Sequence, residues 1–158
     1  MDDRIDLLDR AIDAAICELD HHHKRIAASA SVEEIIEVEV RDARRMRTVV
    51  ADVVEGWYLL RNCRTEATPG ELPYVDAEIC ALEFEVQQHA HTGQLVDSFE
   101  AASRQEQIFR EGTTRILDDL HQGVVTMRRQ AEQVGLTRRL CPRPPSQREP
   151  PVVRTPRT

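Results

Sequence analysis

Apolar residues recur along the chain at spacings of three and four, the signature of helices that bury one face. The first stripe is Ile5, Leu8, Ile12, Ala15, Leu19 and Ile26. A second runs through Val32, Ile36, Ala43, Met46, Val50, Val53, Trp57 and Leu60, and a third through Leu72, Val75, Ile79, Leu82, Val86 and Val96. The fourth is Phe99, Ala102, Phe109, Ile116, Leu120, Val124 and Met127. No stretch alternates apolar and polar residues as a half-buried strand does. Ser31 followed by Glu34 reads as a capping box that opens the second helix, and Ser98 stands where the fourth begins. Pro and Gly in "NCRTEATPGELP" (62–73) break the pattern between the second and third. The chain is expected to be all-α, with four helices.

The two halves of this pattern resemble each other. A shift of 67 positions lays residues 5–63 over 72–130 and matches Asp9/Asp76, Ile12/Ile79, Ala14/Ala81, Glu18/Glu85, His22/His89, Ser31/Ser98, Glu33/Glu100, Glu39/Glu106, Asp52/Asp119, Gly56/Gly123 and Arg61/Arg128. Stripes, serine caps and loops align without a gap, which reads as a duplicated helical hairpin covering 2–63 and 72–134. The connection between the hairpins, about eleven residues at about 3.5 Å each, is too short to run back along a helix of about 45 Å. An up-down-up-down four-helix bundle over residues 1–136 is the simplest topology.

Polar residues interrupt the stripes at matching places. His22 falls on the first seam between Leu19 and Ile26, and Glu39 on the face of Ile36, Ala43 and Met46. The midpoint of this pair lies in the Ala28–Ser31 turn, and that of His89 and Glu106 just before Ser98. In an antiparallel bundle all four share one layer, about 13 Å from the loop end by helical rise. Glu18 and Glu85 stand one turn from the two His, on the same faces. Carboxylates confined in a low-dielectric core repel one another and lose hydration. Two divalent cations would neutralise four carboxylates, with neutral His completing the coordination. The candidate ligands are therefore Glu18, His22, Glu39, Glu85, His89 and Glu106, around two divalent metal ions.

Charge agrees with that reading. From Thr137 onward the chain holds six Arg, six Pro and a single acid, Glu149, which predicts a disordered basic Pro/Arg-rich tail over 137–158. The rest holds 15 Lys+Arg against 27 Asp+Glu, a balance that disfavours nucleic acid and suits cations. The tail could dock on an acidic protein partner, and a homo-oligomer is open. No apolar run approaches the roughly 20 residues of a membrane span. The acidic start "MDDRIDLLDR" is unlike a secretory signal, so no membrane partner and a cytoplasmic location are expected. Cys17, Cys63, Cys80 and Cys141 show no CxxC pairing and read as ordinary thiols.

The ligand inventory resembles the ferritin-like di-iron and di-manganese carboxylate bundles, which use one Glu from each of two helices and a Glu-x-x-His from each of the others. The resemblance covers the bundle core. Glu39 and Glu106 would match the bridging carboxylates, and Glu18 with His22 and Glu85 with His89 the Glu–His pairs. The departures are a Glu-x-x-x-His spacing, pairs on the first and third helices, and a short middle connection. The resemblance implies iron or manganese, with zinc also compatible, and a ferroxidase or O₂- or peroxide-linked oxidoreductase.

Two other readings compete. One is a metal-free helical adaptor with a buried Glu–His network that fixes helix register and a partner-recruiting tail. The other starts from Glu39-x-x-Asp42, reminiscent of the Mg²⁺ helices of all-α nucleotide pyrophosphatases, although the second copy has Phe109 where the first has Asp42. In "HHH" (21–23) His22 faces inward, His23 flanks the site and His21 is solvated; His91 and His121 read as surface. Asp9, Asp52, Asp76 and Asp119 fall beside the stripes and read as a solvated acidic ring. Trp57 and Tyr58 read as core and rim packing.

Overall fold

A computed structural model describes residues 3–63, 71–92 and 98–140, with side chains over 3–62, 74–89 and 98–133. Four helices account for them: α1 (Asp3–Ala27), α2 (Val32–Cys63), α3 (Glu71–Thr92) and α4 (Phe99–Leu140), and no strand occurs among the described residues. The all-α expectation holds. The segment 64–70 and the positions of Val96 and of residues 141–158 lie outside the described residues, and so does the side chain of Leu72. Residues 137–140, read from sequence as the start of the tail, belong to α4.

The serine caps act where the sequence put them. Ser31 Oγ accepts the Glu34 amide at 3.2 Å, while the Glu34 carboxylate reaches back to the Ala30 amide at 2.6 Å. The reciprocal bond lands one residue before the cap, not on the cap itself. Ser98 Oγ accepts the Ala101 amide at 3.2 Å and opens α4. Ser31→Ala and Ser98→Ala are each expected to lower stability by about 1 kcal/mol, read from urea denaturation midpoints.

α1 and α3 each pack against both α2 and α4. A Cβ on Gly56 would stand 3.4 Å from the Leu8 backbone, and His22 bonds to Asp42, so residue numbers rise along α1 as they fall along α2. Val75 against Gly123 and His89 beside Glu106 give α3 and α4 the same relation. The main core holds Leu8, Ile12, Leu19, Val53, Trp57, Leu60, Leu82, Leu120 and Val124, each at most 2% exposed. The Trp57 indole N–H donates to Asp76, which also pairs with Arg61 at 3.1 Å. Beyond the polar layer, Ile26, Ile35 and Ala102 form a smaller apolar cluster toward the Ala28–Ser31 turn.

Two stripe assignments shift. Ile35 is buried and Ile36 is 38% exposed; Phe99 is 42% exposed. At 100° per residue, Ile35 lies about 20° from Met46 around the helix whereas Ile36 lies about 80° away. Phe99 is likewise about 80° from Phe109. Among the described residues no helix is long and apolar enough to cross a membrane. Cys17 and Cys80 are free, exposed thiols.

Candidate metal centre

Between the two apolar clusters, each helix contributes one polar side chain to a common layer. His22 comes from α1, Glu39 from α2, His89 from α3 and Glu106 from α4. His22 is fully buried; His89 and Glu106 side chains are each 6% exposed and Glu39 is 16% exposed. Glu106 stands between the imidazoles, with Oε2 3.4 Å from His22 Nε2 and Oε1 3.0 Å from His89 Nε2. Glu39 Oε1 lies 3.2 Å from the same His89 nitrogen. The ligand atoms of His22, His89 and Glu106 all fall within 4.8 Å of one another, a buried group that could hold a metal ion.

The contacts are short, yet His22 Nε2, His89 Nε2 and both Glu106 oxygens lack a hydrogen-bond partner. Buried polar atoms are nearly always hydrogen-bonded, and those left over call for an explanation such as an ion. Separations of 3.0–3.4 Å are also what donors show across an ion bound at about 2.1 Å, octahedral edges being about 3.0 Å and tetrahedral ones about 3.4 Å.

The remaining candidates face other partners. Glu18 Oε1 lies 3.6 Å from Arg25 Nη2. The Glu85 carboxyl lies against α4 at Gly112, where an added Cβ would meet its Cδ at 3.7 Å. Neither belongs to the group that meets within 4.8 Å. His23, expected to flank the site, is 7% exposed, with its ring centroid 5.7 Å from His22 and 5.8 Å from Phe109. Asp9 pairs with Arg128 at 2.9 Å and lies 3.9 Å from His121, so this part of the expected acidic ring is partly charge-compensated.

Sequence reasoning missed the second partner of His22. Asp42 is fully buried, and its Oδ2 meets His22 Nδ1 and Arg25 Nε at 2.9 Å each. A carboxylate on Nδ1 fixes the tautomer that leaves the Nε2 lone pair facing Glu106, the usual support of a metal-bound imidazole. At the equivalent position of the other half, Phe109 stacks on His89 at 3.8 Å and 7°. The signal for Asp42 was its place on the stripe of Glu39 and Met46.

The electrostatics follow from this packing. Burial pulls the His89 imidazole down, but the Glu106 and Glu39 carboxylates overcome it and raise His89 to about 9. Burial would raise Glu106, yet His22 and His89 hold it well below the usual carboxylate range. Glu39 is pushed up by burial and by Glu106, against the pull of His89. Burial, then the neighbouring His22, depresses His23 to about 4. Asp42 stays below its ordinary value because Arg25 and His22 outweigh burial.

A group raised on folding stabilises below its unfolded pKa and loses that contribution as pH rises through the folded value. For His89 that window runs from 6.5 to about 9, and the raised Glu39 acts in the same direction. The metal-free protein is therefore expected to lose stability between pH 6.5 and about 9. His89→Gln should flatten that limb in urea denaturation curves collected with a chelator.

Compared with protein-family models, curated proteins and solved structures, the chain matches none. None of the three comparisons identifies a ferritin-like relative.

Proposed function

We propose that the protein binds a divalent metal ion through His22, His89 and Glu106, with Glu39 as the fourth donor. The observation that carries this reading is the convergence of one ligand atom each from His22, His89 and Glu106, buried and within 4.8 Å of one another. Two carboxylates and two neutral imidazoles balance the charge of one divalent ion. The layer then loses the repulsion that makes buried carboxylates destabilising.

The dinuclear Glu4His2 expectation would add a second ion drawing on Glu18 and Glu85. Glu18 faces Arg25 and Glu85 lies against Gly112, so the proposal is for one ion. The origin by duplication and the up-down-up-down order belong to the same reading, and the pairings along α1/α2 and α3/α4 suit both.

Nitrogen and carboxylate donors serve iron, manganese and zinc alike. With iron, open positions beside these donors would supply Fe(II) oxidation or O₂- and peroxide-linked chemistry. The protein's own residues hold the donors, and Asp42 orients His22. Because His22 is fully buried, reagents reaching it are restricted to electrons, protons and small molecules.

Elemental analysis after loading with Fe(II), Mn(II) or Zn(II), together with an Fe(II) oxidation assay, tests the two levels separately. The binding reading expects an ion retained through gel filtration and lost in Glu39→Leu/Glu106→Leu. Less than one ion per chain under every loading contradicts it. A loaded protein inert toward Fe(II) and O₂ contradicts the oxidoreductase reading alone.

A further inference from the structure

Ile36 is left out of the core, yet it does not stand alone on its face of α2. Ile36, Val40, Ala43, Arg47, Ala51, Val54 and Tyr58 follow one another at spacings of four and three. At 100° per residue they gather about 100° from Met46, beside the buried stripe and not within it. Val40 is 71% exposed, Tyr58 46% and Ile36 38%. The same face borders α3 across a groove of about 350 Å³ whose walls include Arg47, Ala51, Val54 and Glu55 of α2 and Glu83 of α3. α2 thus carries a second seam at coiled-coil spacing, and no described helix covers it.

Charge along the seam points to its occupant. Arg41 and Arg44 flank the first half, Asp52 and Glu55 the second, and all four are exposed without an ion pair among the described residues. A helix that brings acids to the first half and bases to the second is this same helix run backwards. Reversal about Thr48 sets Arg41 against the partner's Glu55 and Arg44 against the partner's Asp52. Within one residue of that register Ile36 meets the partner's Tyr58, Val40 the partner's Val54, and Ala43 the partner's Ala51. The two Ala, small and close to the centre, let the backbones approach. A parallel pairing would instead set Arg against Arg and acid against acid. Arg47, nearest the axis, shares its groove with Glu55 and Glu83, which offset its charge. The face as a whole balances Arg41, Arg44 and Arg47 against Asp52, Glu55 and Glu83. The Arg-rich end of the chain therefore gains no net attraction there, whereas a second copy is complementary along its length.

We infer that the exposed stripe of α2 is a homodimer interface, in which two copies pack antiparallel about a twofold axis near Arg47. Such an interface is isologous, each copy offering the same patch. From Ile36 to Tyr58 it runs about 33 Å by helical rise. It stands independently of the metal site.

Sedimentation equilibrium of the full chain tests it. The wild type should sediment at twice the chain mass at about 100 µM, well above the Kd of specific complexes. Val40→Glu should sediment as a monomer with unchanged helix content, because Val40 lies outside the core. Arg41→Glu/Arg44→Glu and Asp52→Arg/Glu55→Arg each set like charges opposite one another and should weaken the dimer by at least about tenfold. The variant carrying all four changes should regain the wild-type dimer, and the two double variants mixed should form a heterodimer. A wild type that stays monomeric overturns the inference, whether the stripe lies bare or under the chain's own tail. So does a dimer that withstands Val40→Glu, which must use another face. A fourfold variant no tighter than the double ones overturns the antiparallel register, and the inference with it.

Discussion

Glu106→Gln is expected to weaken divalent-ion binding by more than about 100-fold and to erase the metal-induced rise in melting temperature. Losing an outer-shell partner of a metal ligand already costs about 10–100-fold, and Glu106 would be a ligand itself. Its two oxygens face different imidazoles, at 3.4 Å and 3.0 Å, so its loss detaches His22 and His89 from a common donor. At an ion concentration about 100 times Kd, binding stabilises by about 2.7 kcal/mol. For a chain of this size that is roughly 5–10 °C in melting temperature. Thermal melts with Mn(II), Fe(II) or Zn(II), each against a chelator control, would show a shift for the wild type and none for the variant. An equal shift in both would put the ion elsewhere.

Asp42→Ala should have the largest effect on folding. It removes a fully buried carboxylate and strands two partners, Arg25 Nε and His22 Nδ1, each 2.9 Å away. Breaking a fully buried pair from one side costs about 3–5 kcal/mol; with Arg25 32% exposed the lower end applies, still a large share of the roughly 5–15 kcal/mol available to a typical domain. Asp42→Asn keeps the shape and can still accept a hydrogen bond, so it should be milder in stability. It should nonetheless lower metal affinity by about 10–100-fold, the usual effect of losing the acid behind a ligating His. Urea denaturation at pH 7 and metal titration separate these outcomes. A stable Asp42→Ala with unchanged metal affinity would remove Asp42 from both roles.

The architecture was legible because helical periodicity reports burial directly. The stripe of α1 was read correctly at Ile5, Leu8, Ile12, Ala15, Leu19 and Ile26, and the polar interruption at His22 is buried with them. The early turns of α2 and α4 were harder. Three-and-four spacing leaves a choice between neighbours such as Ile35 and Ile36, and only the angular distance from Met46, about 20° against about 80°, decides it.

The chemistry was legible to a different extent. The shift of 67 positions drew attention to what the halves share, and His22, His89, Glu39 and Glu106 do meet in one layer. The same comparison hid what differs. Asp42 has no acidic counterpart, Phe109 standing at the matching position, yet that pair decides how each imidazole is held: His22 by a buried carboxylate, His89 by a stacked ring. Glu18 lies on the same helix as His22, but side-chain direction on a helix does not say which cation it will meet, and Arg25 lies within 3.6 Å of it.

A divalent cation is expected to sit where helices α1, α3 and α4 bring their imidazoles and carboxylate together. Crystals grown with Mn(II) and measured at the manganese absorption edge answer this directly. The expected map has one anomalous peak about 2.1 Å from the Nε2 atoms of His22 and His89 and from a Glu106 oxygen. A featureless layer at full Mn(II) occupancy elsewhere in the crystal, with Glu106 instead hydrogen-bonded between two protonated imidazoles, would contradict it.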